Sequence, residues 1–484
     1  MAVYNVTKIF VKVKRTTNHC FRNWNFIFRL VLTIIIIVLG WSQIFNNNND
    51  TKILGNTRFA STTIKTARET QKLSENNNPL ETVSIIASLD NDDNEDLYNI
   101  RLKRIVKRLN TRQTVRNLHK YGPLTNNSLI IVVQVNTRIN YLYEVINSLS
   151  KARGIEDVLL IFSHNYYDEK INRLVNGVRF CKTMQIFFPY STQIYTNVFP
   201  GQTSYYDCPR NAARERTEKM NCFNATADQY GHYRDANITQ AKHHWWWKIN
   251  MVFDRLRVVK NYSGLILFME EDHYVVEDFI HTLKLMQRTL SQSEIFSMGV
   301  HSDTLIFFRK PQVHVSNWIS NLGISFNRSV WNAFVQCAEE FCYYDDYNWD
   351  WSLQKMTKYC NGHTFLTSTL QDSRFYHIGK CGMHYHINCS DMSHVNKLKQ
   401  TLKSLDLYPE ELDVKIIHGL NQMFSAGNGG WGDTRDRKLC MHMVFNHYVN
   451  EWFTVVSNDI TLITLYFVFR GKVINQHLMK VHQR

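Results

Sequence analysis

Leu265–His273 reads LILFMEEDH: five apolar residues in a row, then three carboxylates and a histidine. A run this short and this continuously apolar suits a strand buried on both faces. Three more such runs precede it, Leu129–Val135 (LIIVVQV), Val158–Phe162 (VLLIF) and Met184–Phe188 (MQIFF). With helices between them, they predict an α/β sandwich built on a mostly parallel sheet. Open α/β sheets bind ligands beyond the carboxyl ends of their strands. Glu270, Glu271, Asp272 and His273 therefore stand where chemistry is expected, and carboxylates held there suit a hard divalent cation. The plainer reading of an acidic triplet is a solvated turn.

The rest of the chain sets the context. Its 484 residues are 44% hydrophobic and 13% aromatic with only 7 prolines, which admits a large core and excludes disordered and Gly/Pro-rich classes. The net charge of +14 resides in two acid-free segments, six positives before residue 30 and eight from Arg101 to Lys120. The remainder is formally neutral, which argues against nucleic acid as a partner. Phe26–Phe45 (FIFRLVLTIIIIVLGWSQIF) is long enough to span a bilayer, and the basic residues before it place the N-terminus in the cytosol. No small-residue cleavage site follows Phe45, so the segment reads as an uncleaved anchor.

The expected layout is thus a cytoplasmic tail (1–25), an anchor (26–45), a lumenal stem with a basic helix (46–120), a catalytic domain (121–445) and an extension of unassigned role (446–484). The helix itself, Leu97–Lys120, reads as a stem or a packing element. Nine cysteines follow the anchor and imply four disulfides with one thiol left over in an oxidising compartment. Seven Asn-x-Ser/Thr sequons agree with that compartment.

Three further clusters carry chemistry. Asp345–Trp351 (DDYNWDW) interleaves rings with carboxylates: rings stack on sugar faces, and one carboxylate can serve as a general base. The same residues also suit a helix N-terminus with capping acids and core tryptophans. Arg374–His384 places His377 near a glycine and a cysteine, as a ligand on a rigid loop or as a structural histidine. Lys242–Lys248 (KHHWWWK) has three consecutive tryptophans, which no single helix face buries. At least one is therefore expected at a pocket, an interface or the surface. Together these features indicate a metal-assisted lumenal enzyme acting on a phosphate-bearing or sugar substrate, and they leave the sugar open.

At these motifs the chain resembles the Golgi N-acetylglucosaminyltransferase II family. The matching stretches are GHYR (Gly231–Arg234), KHHWWWK (Lys242–Lys248), GLILF-x-EEDHY (Gly264–Tyr274), YDDYNWDW (Tyr344–Trp351), CGMH (Cys381–His384) and NGGWGD (Asn428–Asp433), in the family's order from about Ser128 to Cys440. The resemblance implies an inverting enzyme of the GT-A fold, a Rossmann-like mostly parallel sheet on a single-pass type II anchor in the Golgi membrane. The donor would be UDP-GlcNAc, added in β1,2 linkage to the α1,6-arm mannose of an N-glycan.

Carried over residue by residue, Asp272 and His377 hold manganese and Asp350 is the general base. Gln134, Val135, Asn136, Thr137 and Arg138 bind the donor, with Asn165, Gln240, Ala241, Lys242, His243 and His244. Tyr347 and Trp349 line the acceptor site. The implied disulfides are Cys208–Cys222, Cys337–Cys360, Cys342–Cys440 and Cys381–Cys389, leaving Cys181 unpaired. The chain departs from the family at Asn136-Thr137, where His-Asn is usual, and at Asn165, where Asp is usual. Asn keeps a carbonyl acceptor but loses the charge. The resemblance leaves a homodimer open. The alternatives are a related N-acetylglucosaminyltransferase with another acceptor, or a catalytically weakened glycan-binding protein of the same fold.

Overall fold

The structure, a computed structural model, describes residues 95–445 except 203–206, 213–216, 218–219, 221, 223–225, 302–306, 383–384, 387–391 and 418–426. The expected anchor, the stem before Glu95 and the extension after Phe445 lie outside the described residues. Among those described, no helix is long and apolar enough to cross a membrane.

All four apolar runs are strands: β1 (Ile130–Val135), β2 (Leu159–His164), β3 (Lys182–Phe187) and β4 (Ile266–Glu270). They pair in parallel, with β1 between β2 and β4 and with β3 outside β2. Alternation along β1 explains their composition. Ile130 and Val132 pack into one core with Trp245, Trp246 and Phe341, while Ile131, Val133 and Val135 pack into a second with Leu142, Val145 and Phe279. Up to Val133 neither face of the strand meets water, so both are apolar, and the one polar residue, half-buried Gln134, stands at the carboxyl end.

Beyond β4 the chain adds β5 (His273–Val275), β6 (Ile295–Ser297), β7 (Gln312–Ser316), β8 (Ile324–Phe326), β9 (Thr367–Leu370), β10 (Phe375–His377), β11 (Cys381–Gly382), β12 (Tyr385–His386) and β13 (Asp413–Ile416). Nine strands form one sheet in the order β13-β7-β9-β6-β8-β4-β1-β2-β3. β8 runs antiparallel to both β4 and β6, and β7 antiparallel to β9; the other pairs are parallel. Strands β5 and β10 form a separate antiparallel ribbon whose register sets His377 opposite His273. That pairing carries a histidine from about a hundred residues downstream to the acidic end of β4.

Six helices matter to the site: α1 (Glu95–Arg112), α2 (Ile139–Leu149), α3 (Ala236–Asn250), α4 (Ala338–Tyr343), α5 (Trp349–Tyr359) and α6 (Thr434–Phe445). The basic helix α1 is a packing element, burying Leu102 and Val106 against Phe187 and Ile194. Its Lys103, Arg104, Lys107 and Arg108 face solvent. Helix α3 corrects the expectation for its tryptophans: Trp245, Trp246 and Trp247 are all at most 3% exposed. The sheet covers one side of α3, and α4, α5 and α6 supply apolar partners on the others, so this helix needs no polar face. Trp245 stacks on Trp349 with centroids 4.4 Å apart, Trp246 on Phe341 at 4.3 Å, and Trp247 meets Phe188 edge-on at 5.7 Å.

Disulfides join Cys208 to Cys222, Cys337 to Cys360 and Cys342 to Cys440, and Cys181 is a buried free thiol. The expected Cys381–Cys389 pair is not described, because Cys389 lies outside the described residues.

Candidate active site

The carboxyl ends of β1 and β4 meet through one ion-pair cluster. Glu271 is 1% exposed and collects three donors: the Asn136 amide at 2.7 Å, Arg138 Nε at 2.8 Å and the Arg138 amide at 3.4 Å. Burial alone pushes the Glu271 carboxyl above its ordinary range, and these contacts oppose that push. The other arm of Arg138 reaches Asp272, with Nη1 donating to Oδ2 at 2.7 Å. Glu271 and Asp272 lie in the turn that follows β4, and the two arms of a single guanidinium lock both carboxylates.

Asp272 Oδ2 also stands 3.2 Å from His377 Nε2. Although Asp272 is 1% exposed and burial opposes its charge, His377 and Arg138 hold its carboxyl well below the usual range. The same contact raises the His377 imidazole against the effect of its own burial. Two atoms bound at right angles to an octahedral cation, each about 2.1 Å from it, stand about 3 Å apart, which this pair matches. Asp272 Oδ1 is buried and meets no hydrogen-bond donor among the described residues. A Cβ on Gly379 would collide with Asp272 Oδ2 and approach His377 Nε2, so a glycine keeps that space clear. The mixed oxygen and nitrogen set fits a divalent cation of the manganese type. Glu270, Asp272 and His273 also bring ligand-type atoms within 4.8 Å of one another. His273 Nδ1 is engaged by the Glu270 amide at 3.3 Å, and burial pushes its imidazole down to about 3.

The first turn of α5 reaches the same strand end. Trp349 is buried, and its Nε1 donates to Glu270 Oε1 at 2.9 Å. The next residue, Asp350, is thereby held near the carboxylates of β4. Its Oδ1 accepts the Trp351 amide at 2.9 Å and its Oδ2 accepts Asn321 Nδ2 at 3.0 Å. Burial, with Glu270 and Asp346 nearby, pushes the Asp350 carboxyl up to about 6, a value suited to a general base near neutral pH.

The remaining expected residues divide into rim and interior. Asn136 and Thr137 are exposed, Gln134, Arg138, Gln240, Ala241 and Tyr347 half-buried, and Val135 and Asn165 buried. The buried Asn165 Oδ1 meets no donor among the described residues. Lys242, His243 and His244 lie wholly inside. Lys242 donates to the carbonyls of Tyr344 and Asp346, while His243 and His244 pair with Asp436 and Ser163 at 2.9 and 2.8 Å. Gln134 Oε1 accepts from buried Lys248 at 2.8 Å; burial pushes that ammonium down to about 7. Sequence reading did not single out Lys248, Asn321 or the Glu271–Arg138 pair, since no local spacing links such distant partners.

Two acids of the aromatic cluster are structural. Asp345 accepts the amides of Gln229 and Trp431, and Asp346 those of Asn348 and Asn428. They fasten the Asn428–Trp431 turn, whose Gly430 has φ 73°, a conformation that favours glycine. Of the tryptophans in the first turn of α5, Trp351 rather than Trp349 faces solvent, and it meets Trp318 edge-on at 5.8 Å.

Relatives cover most of this chain. The alpha-1,6-mannosyl-glycoprotein 2-beta-N-acetylglucosaminyltransferase of Sus scrofa is 41% identical over 359 residues, covering 71% of this chain and 80% of the relative. That of Homo sapiens is 39% identical over 357 residues, with coverage of 71% and 80%. Among solved structures, S. aureus TarS 1–349 in complex with UDP-GlcNAc aligns at 14% identity over 58% of this chain and 68% of that one. Its TM-score is 0.29, a likeness too slight to build on. The family model of N-acetylglucosaminyltransferase II (MGAT2) matches residues 103–440, from α1 to the cysteine of α6. Since that span holds the Arg138 cluster, the Asp272–His377 pair and Asp350 together, the chain belongs to the N-acetylglucosaminyltransferase II family.

Proposed function

We propose that the chain transfers N-acetylglucosamine from UDP-GlcNAc, in β1,2 linkage, to the α1,6-arm mannose of an N-glycan whose other arm already carries N-acetylglucosamine. Family membership supports the reaction. The observation that carries its chemistry is the Trp349–Glu270 hydrogen bond, which sets the turn bearing Asp350 beside the turn bearing Asp272.

In this reading Asp350 accepts the proton of the mannose 2-hydroxyl as its oxygen attacks the anomeric carbon. The bond to UDP breaks on the opposite face, its electron pair stays on the departing phosphate oxygen, and configuration inverts. Asp272 and His377 would hold manganese, which would supply Lewis-acid neutralisation of the departing diphosphate. Gln134–Arg138, Asn165 and Gln240–His244 form the donor wall, with its buried members orienting the rim. Tyr347 lines the acceptor side, and Trp349 acts there from beneath. The sheet is read as a GT-A fold carried on a type II anchor at 26–45, with the catalytic domain in the Golgi lumen.

The test uses the full chain in detergent with UDP-GlcNAc and a trimannosyl N-glycan bearing N-acetylglucosamine on its α1,3 arm. Manganese-dependent gain of one residue on the free α1,6-arm mannose, lost with EDTA, is expected. Glycan binding without transfer under either condition would instead support the glycan-binding alternative.

A further inference from the structure

The segment between β7 and β8, Asn317–Gly323, contributes nothing to the expected site residues, yet it touches the base directly. Asn321 Nδ2 donates to Asp350 Oδ2 at 3.0 Å, and Asn321 Oδ1 lies 2.6 Å from His301 Nε2. Donor and acceptor parity fixes this chain in one direction. An ionised carboxylate only accepts, so the amide must turn its NH2 toward Asp350 and its carbonyl toward His301. The imidazole must then carry its proton on Nε2. A flipped amide would set a carbonyl against a carboxylate.

The segment is held by the same helix that carries the base. Gln354, one turn beyond Asp350 in α5 and 4% exposed, accepts the Ile319 amide at 2.6 Å and donates to the Asn317 carbonyl at 2.9 Å. From the sheet, Ser297 Oγ donates to the Ser320 carbonyl at 2.7 Å and the Met298 amide to the Leu322 carbonyl at 2.9 Å. Asn321 and Asp350 are thus referenced to each other at two points of one helix, and their bond survives small shifts of that helix.

We propose that Asn321, oriented by His301, is a positioning residue for Asp350: it fixes the plane of the carboxylate and favours its ionised form. This rests on the reading of Asp350 as the base. The groups facing that carboxylate work in opposition. Glu270 from β4 and Asp346 ahead of α5 disfavour a second negative charge, as does burial; the Trp351 amide and Asn321 favour it. The Asp350 amide favours it too, and of these three donors Asn321 alone is a side chain, so it alone is removable by substitution.

The test compares Asn321→Ala, His301→Ala, His301→Gln and Asp350→Asn in the full chain, by pH profiles of kcat and by calorimetric titration with UDP and manganese. Asn321→Ala is expected to move the acidic limb of kcat upward by about one pH unit, a loss of about tenfold below the limb that vanishes at alkaline pH. UDP binding should not change. His301→Ala should give a smaller displacement and His301→Gln, whose amide still donates to Asn321, should restore the original profile. A loss uniform across pH, or an unmoved limb with Asp350→Asn inactive, overturns the positioning role alone. An active Asp350→Asn overturns the base assignment and this inference with it.

Discussion

Arg138 Nη1 donates at 2.7 Å to Asp272 Oδ2, the oxygen that also meets His377. One guanidinium therefore neutralises two carboxylates, Glu271 and Asp272, each 1% exposed. Replacing Arg138 by Leu leaves both without a guanidinium, and the expected loss of stability is about 3–5 kcal/mol by denaturant unfolding. The sign with pH follows from Glu271, whose folded pKa is already raised. Losing Arg138 raises it further, so the variant regains stability as the pH falls toward that pKa and loses it as the pH rises. A variant as stable as the parent at pH 8 contradicts the clamp.

The cation pair is tested from two sides. Asp272→Ala should abolish manganese-dependent UDP binding in calorimetry. Gly379→Ala should weaken it by more than about tenfold at little cost to the fold, because its new methyl group would crowd Asp272 Oδ2. Manganese titration followed by electron paramagnetic resonance, without any nucleotide, reads the same loss directly. Unchanged affinity in both variants would remove the assignment.

Asp350 makes a prediction with opposite signs for activity and stability. As a base it must be ionised, so kcat should rise with pH through about 6, where burial has placed its carboxyl. Asp350→Asn should lower kcat by at least about a thousandfold and leave UDP affinity intact. A carboxyl whose folded pKa is raised costs stability above that pKa and none below its unfolded value. Asp350→Asn should therefore stabilise the protein by about 1–2 kcal/mol at pH 8, with the gain fading below about pH 4. Unfolding curves at the two pH values check this.

The Cys342–Cys440 bridge spans 98 residues, from α4 to α6, and so encloses α5 and strands β9 to β13. Replacing both cysteines by Ala should cost about 4–5 kcal/mol in the chain-entropy account. Cys337–Cys360, closing 23 residues, should cost about 3 kcal/mol. Equal costs in differential calorimetry would show that local packing outweighs loop length here.

How far the sequence foretold this arrangement depends on where partners lie. Strands β1 to β4 were legible because burial on both faces gives each an unbroken apolar run of at least two residues flanked by few polar ones, Gln134 and Glu270 standing only near the carboxyl ends of β1 and β4. Strands β6 and β8 were not: each is three residues long, and the serines Ser297 and Ser325 interrupt the apolar signal although both are buried. Asp345 and Asp346 looked as suited to substrate as Asp350 did, since a carboxylate that caps a distant turn has the same local sequence as one that faces a ligand. The tryptophans of α3 misled for a related reason. Amphipathicity describes a helix with one wet side, and from Lys242 to Asn250 α3 has none.

The stacked pair of Trp245 and Trp349, 4.4 Å apart and inclined by 11°, has an optical consequence. Two indoles this close couple their transitions, and the circular dichroism of the pair depends on the angle between them. One of the two is bonded to Glu270 and adjoins Asp350, so a ligand that shifts the first turn of α5 changes the coupling. Circular dichroism with and without UDP and manganese therefore tests, without a label and without turnover, whether occupancy moves that turn.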